Sequence, residues 1–173
     1  VFDGEQFISI TAENGLSNER VRCIARDNFD NIWIGTFFGG IMRYNYKDFT
    51  GFTMHEGLAS NQVQALHEDE YGDILVGTNA GLTNLEVVDN KLYNYATIKL
   101  SDSYLGNSIR TVYYDVNGYT WLGNTRGVTV IKADYRKEIL FQTEKDEPVS
   151  VNVIEFLNNK YYVGTNHGLF QVN

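Results

Sequence analysis

An all-β chain of β-propeller blades is what this sequence predicts, and three observations predict it. A similar segment returns four times, turn residues recur at fixed offsets within each return, and the stretches between the turns are short runs of β-branched and aromatic residues. The four matching segments are Trp33–Ile41, Val76–Leu82, Leu122–Val128 and Val163–Leu169. Their first glycines, Gly35, Gly77, Gly123 and Gly164, are spaced 42, 46 and 41 residues apart. A unit of that length holding four short strands is one blade, a small sheet that buries its faces against its neighbours.

In the first repeat the strands fall at about 20–26, 31–36, 40–45 and 49–53. They are lettered A to D from the propeller axis outward. Strand A ends at a hairpin turn, Asp27-Asn-Phe-Asp-Asn31, matched by Asp69–Asp73, Asp115–Gly118 and Asn158-Asn159. Such residues supply positive φ or cap their own backbone. Strand B ends at the repeated glycine and the B–C turn, where Gly81 and Gly127 are expected at positive φ. A further turn precedes strand A: Gly15-Leu-Ser-Asn18, Gly57–Asn61 and Leu105–Asn107, with Lys145–Pro148 in the fourth repeat. Val21, Val63 and Ile109 each stand twelve positions before Trp33, Leu75 and Trp121, and the fourth interval, Val151 to Tyr162, is one shorter. No stretch of ten residues carries helical apolar spacing.

The repeat windows are about 7–48, 49–91, 92–138 and 139–173, within one segment spanning 1–173. Phe7–Ile10 matches the D-strand pattern of Phe49–Phe52, so the chain is expected to open on a D strand and to close on a C strand, Gly168–Val172. Beginning at Val1 rather than Met, it reads as a piece of something longer.

The pattern Gly-Leu-Ser-Asn-x-x-Val, then Asp-x-x-x-x-x-Trp-Ile-Gly-Thr, then Gly-Gly-Ile-x-Arg-Tyr, from Gly15 to Tyr44, resembles the two-component regulator propeller repeat. The third repeat departs from it by Asn124 in place of Thr and by a single Gly127, and the fourth lacks both the Gly-Leu-Ser-Asn and Asp-x-x-Gly turns. The resemblance implies a periplasmic sensor region of a hybrid two-component histidine kinase, with further blades and signalling domains as partners. It also implies blades shaped for a ring of about seven, so that four form an open arc whose bare ends are expected to self-associate, the alternative being a closed four-bladed ring clasped by the Phe7–Ile10 strand.

Composition bounds the chemistry. At 43% apolar the chain can bury a core, and no apolar run approaches the length that spans a bilayer, so no membrane contact is expected. The net charge is −8, and Arg20, Arg26, Arg43, Arg110, Arg126 and Arg136 lie scattered along the sequence, which does not suit nucleic acid. The single cysteine, Cys23, reads as a small buried side chain. No serine elbow, Cys/His pair or phosphate loop appears, so no catalytic residue, metal or cofactor is assigned. Asp27, Asp69 and Asp115 lack the alternating spacing of a calcium loop and read as turn residues. His67 reads as a structural histidine on strand A.

Ligand binding is expected at the B–C loops, which differ from blade to blade within repeating frames: Phe37 and Phe38, Asn79, Arg126, Asn166 and His167. Exposed rings stack on sugar faces, amides take hydroxyls, and Arg126 can fork to a uronate or sulfate, so an oligosaccharide is the expected ligand. The competing account packs Phe37 and Phe38 between blades and uses Asn79 and Asn166 only to close turns. Two other functions remain open: a propeller lyase or hydrolase using His167 with Glu155 or Glu68, and a structural or dimerisation arc with no ligand of its own.

Overall fold

The computed structural model describes residues 4, 6–7, 9–88, 91–100, 104–132, 137–142 and 149–172. They form four antiparallel sheets in chain order. The first contains β1 (Val21–Arg26), β2 (Ile32–Thr36), β3 (Ile41–Tyr44) and β4 (Phe49–Phe52). The second contains β5 (Val63–Glu68), β6 (Ile74–Thr78), β7 (Gly81–Val88) and β8 (Lys91–Ile98), and the third β9 (Ile109–Tyr114), β10 (Thr120–Asn124), β11 (Gly127–Ile131) and β12 (Lys137–Gln142). The fourth has β13 (Val151–Leu157), β14 (Lys160–Thr165) and β15 (Gly168–Val172). Each sheet is a meander, so the A–B turns lie at one end of the blades and the B–C turns at the other. The repeat windows and the sheets differ in phase, since each sheet ends on the strand with which the next window begins. Of the strand expected at Phe7–Ile10, Phe7 makes an isolated bridge, Ser9 and Ile10 have no strand geometry, and position 8 lies outside the described residues, as does the fourth repeat's turn at 145–148.

The repeated glycines are where blades meet. A Cβ on Gly35 would stand 2.6 Å from Val63 Cγ1, one on Gly77 2.8 Å from Ile109 Cγ2, and one on Gly123 2.5 Å from Val151 Cγ1. Val63, Ile109 and Val151 are the first residues of the following inner strands, and all three are fully buried. Around them lie three core clusters, one per seam: Trp33 with Val63 and Val76, Leu75 with Ile109 and Leu122, and Trp121 with Val151 and Val163. No positive φ is involved at these glycines. The missing side chain is room for the next blade.

The series does not close. Inner strands pack in succession, β1 on β5, β5 on β9 and β9 on β13, and among the described residues no such interface joins β13 to β1. Gly164, the fourth equivalent, meets only Val153 of its own sheet, and Val21, the equivalent of Val63, is 45% exposed. These are the two halves of a seam without the other half, and the sheets form an open propeller arc. Its ends differ. Ile34 and Met42 on the free face of the first blade are covered by Leu16 and Ile10, whereas Leu169 on the last blade is exposed.

The A–B turns carry a buried polar unit. Asp27 Oδ1 accepts the N–H groups of Phe29 and Asn31 at 2.9 and 2.8 Å, while Oδ2 accepts Trp33 Nε1 at 2.8 Å. Asp115 repeats this with Asn117, Tyr119 and Trp121, and its Oδ2 also accepts the Tyr161 hydroxyl from the next blade. Asp69 closes its turn through Tyr71 and Asp73, but Leu75 stands where the first and third blades have tryptophan. The turn reading of the three aspartates is what the structure shows. The fourth turn, Asn158-Asn159, has φ of 51° and 61° and needs no aspartate.

Those donors set how the carboxyls titrate. Burial pushes the Asp69 carboxyl up, and its backbone donors offset this only in part. Burial acts on Asp115 as well, but the Tyr161 hydroxyl, the Tyr119 N–H, the Trp121 indole and the Asn117 N–H outweigh it and hold Asp115 below the ordinary carboxylate value. The two therefore couple to stability with opposite sign. The Asp115 contribution is present above its unfolded value and lost as pH falls through its lowered folded value. The Asp69 contribution is present below its unfolded value and lost as pH rises through its raised folded value. A carboxyl carbon NMR titration should find Asp69 above and Asp115 below the ordinary value, and the reverse order would show that the indole and phenol donors are not engaged in solution.

Candidate functional site

The B–C turns are framed alike in three of the four blades. Thr36, Thr78 and Thr165 donate through Oγ1 to the carbonyls of Gly40, Gly81 and Gly168, and the same oxygens accept N–H groups of Gly39, Ala80 and His167. Asn124, the departure in the third repeat, substitutes its own side-chain oxygen, which accepts the Arg126 N–H at 2.7 Å. Gly40, Gly81, Gly127 and Gly168 all have positive φ, from 73° to 141°, as expected for Gly81 and Gly127.

The residue after the Thr ties the turn to the start of the inner strand. Phe37 donates its N–H to the Arg20 carbonyl at 2.9 Å, Asn79 to Gln62 at 3.2 Å and Asn166 to Ser150 at 3.1 Å. Asn166 Oδ1 also accepts the Ser150 N–H at 2.7 Å, and Asn79 is buried. The next residue is the tip: exposed Phe38, half-buried Arg126 and exposed His167, with Ala80 in the second blade. Thus the six expected residues divide into three at tie positions (Phe37, Asn79 and Asn166) and three at tips (Phe38, Arg126 and His167). They lie at the same end of their blades. Phe37 and Phe38 meet edge to face, with ring centroids 4.3 Å apart.

Around Phe37 the structure gathers two residues that sequence reasoning passed over as binding residues. The guanidinium groups of Arg20 and Arg22 lie 4.2 and 4.5 Å from the centroid of its ring. Arg20 appeared in the sequence only as one of several scattered cations, and Arg22 stood within an expected strand. Nothing in the local pattern around Val21 pointed to Phe37, which lies beyond the next turn.

His167 and Glu68 are not brought together. His167 sits at a B–C tip, while Glu68 ends β5 at the A–B turn and accepts the Asn28 N–H at 3.0 Å. It is His67 that lies near Glu155 in charge, beside the Tyr113 ring at 5.4 Å. Burial lowers the His67 pKa first, against a Tyr114 backbone hydrogen bond and the charges of Glu155 and Asp69, which raise it. Its ring packs between inner strands, where burial favours the neutral form. Cys23 is half-buried rather than buried outright, packed against the first seam, and burial pushes its thiol up to about 12, leaving little thiolate at neutral pH.

The family model for the two-component regulator propeller matches residues 15–38 and 57–80. No curated protein matches the chain significantly. Among solved structures, the extracellular domain assigned to one hybrid two component system of B. thetaiotaomicron is 23% identical with a TM-score of 0.71, covering 91% of this chain and 21% of that one. A second such domain from the same organism is 21% identical, also at 0.71, over 91% and 23%. Virginiamycin B lyase from Staphylococcus aureus shares the fold at 15% identity and 0.61, over 91% and 57%. The chain thus spans about a fifth of the length of the two extracellular domains. With its glycine seams and its B–C turns, the chain is a stretch of β-propeller in which residues 15–38 and 57–80 match the two-component regulator propeller repeat.

Proposed function

We propose that this arc is an extracytoplasmic, periplasmic ligand-sensing segment of a hybrid two-component sensor, part of a ring of about seven blades, and that it reads an oligosaccharide. The repeat family and the likeness to extracellular domains of two-component systems support the sensor reading. The observation that carries ligand binding is the contrast within the B–C turns. Three of the four frames repeat the same threonine bonds and the third substitutes Asn124, while Phe38, Arg126 and His167 at the tips differ in kind. A scaffold held constant beneath varied, accessible aromatic, guanidinium and imidazole groups is suited to recognition. Binding would be transmitted through the other blades and signalling domains of the parent protein.

Calorimetry against a panel of neutral and acidic oligosaccharides tests this. Arg126→Ala and His167→Ala should each weaken binding by about 1–3 kcal/mol, the usual cost of losing a charged or polar contact, with the melting temperature unchanged. Binding equal to that of the parent chain in both variants would move the site away from the tips. Likeness to the virginiamycin lyase keeps a catalytic reading in view. Product analysis after long incubation decides it, since a sensor returns the oligosaccharide intact.

A further inference from the structure

Each inner strand carries a β-bulge at the same step. In β1 the register passes from Val21↔Thr36 to Cys23↔Gly35, which leaves Arg22 unopposed. The same break leaves Gln64 unopposed in β5, Arg110 in β9 and Asn152 in β13. A bulge takes its extra residue out of the ladder and re-aims the side chain, and bulges recur beside binding sites. It also increases strand twist, a purely architectural role, but twist places no demand on which side chain stands there. Here all four are guanidinium or amide residues, while the residue before each is β-branched and apolar and the one after is small or β-branched.

Three of the bulge residues are exposed, Gln64 being half-buried, and they stand on inner strands that pack in succession, at the end of the blades that bears the B–C tips. Neither this row nor the position before strand A, Arg20 to Ser150, includes a carboxylate. A chain of net charge −8 therefore presents Arg22 and Arg110 in this row, with Arg20 just before β1. None of the three forms an ion pair among the described residues. Arg20 and Arg22 moreover share the Phe37 ring. Two like charges drawn to one ring repel each other, and an anion seated between them relieves that repulsion.

We propose that this bulge row is a binding site for an oligosaccharide carrying carboxylate or sulfate groups, with Arg22 and Arg110 as its anion-binding residues and Gln64 and Asn152 as its hydroxyl-binding ones. Guanidinium groups fork to such anions, and amides serve sugar hydroxyls as both donor and acceptor. The site rests on the reading of the chain as a carbohydrate sensor and narrows it to an acidic glycan.

Calorimetry on the 173-residue chain with hexagalacturonate, sulfated cellohexaose and unmodified cellohexaose tests it. At least one anionic hexamer should bind, and which one distinguishes carboxylate from sulfate. Arg22→Ala and Arg110→Ala should each raise its Kd about tenfold, equivalent to about 1.4 kcal/mol, through loss of a charge-assisted contact, with the melting temperature unchanged. The affinity should also fall steeply between about 50 and about 300 mM NaCl. Failure of both anionic hexamers to bind, or an unchanged Kd in both variants, overturns the site. Cellohexaose bound alike by the parent chain and both variants, but lost in Arg126→Ala, would overturn this row while leaving the sensor reading in place.

Discussion

Gly123→Ala should destabilise the arc by roughly 2–3 kcal/mol, and Gly164→Ala by well under 1, although the two glycines hold equivalent places in the repeat. In the middle of a strand, alanine ordinarily gains about 0.5–1 kcal/mol over glycine through the unfolded chain. At Gly123 that gain is overwhelmed. The new Cβ would lie 2.5 Å from Thr111 Cγ2 and from Val151 Cγ1, and Val151 is fully buried in the seam with nowhere to turn. At Gly164 the Cβ meets Val153 Cγ1 at 2.6 Å, but Val153 is 45% exposed and can rotate into solvent. Urea unfolding followed by tryptophan fluorescence measures the difference, Trp33 and Trp121 both lying in seams. Equal losses at the two glycines would mean that the fourth blade has a partner on its outer face, and the open arc would be wrong.

Asp115→Ala is the second large effect, at roughly 3–5 kcal/mol. The carboxylate serves two backbone N–H groups, the Trp121 indole and the Tyr161 hydroxyl, and alanine satisfies none of them. A donor left buried without a partner costs about 1–3 kcal/mol, and the loss here is shared between two blades, because the Tyr161 ring also stacks on Trp121 at 3.8 Å. Asp27→Ala should cost less, having no partner from a neighbouring blade among the described hydrogen bonds, and Asp69→Ala less again, having no indole. The order Asp115, Asp27, Asp69 is the test. A larger loss at Asp69 than at Asp115 would show that the turn, rather than the buried indole and phenol, carries the energy.

What the chain's sequence determined by itself is local. Strands at 20–26, 31–36, 40–45 and 49–53 were legible within a residue or two, because turn chemistry at Asp27, Gly81 or Asn158 acts over four or five positions and the alternation between turns is read directly. The repeat then carried the blade architecture from one unit to all four. What only the tertiary structure decided lies between strands about forty residues apart. Gly35, Gly77 and Gly123 marked the period of the repeat, yet their role is to admit Val63, Ile109 and Val151 from the next blade, and no spacing within one repeat states which side chain arrives there. Arg20, Arg22 and Arg110 looked scattered in a linear list. Packing β1, β5 and β9 in succession, and a one-residue slip in each ladder, set Arg22 and Arg110 in one row, and the Phe37 ring draws Arg20 beside Arg22. Hairpin turns are short-range and written in adjacent residues, whereas a seam or a row of bulges exists only once long-range packing has chosen the neighbours.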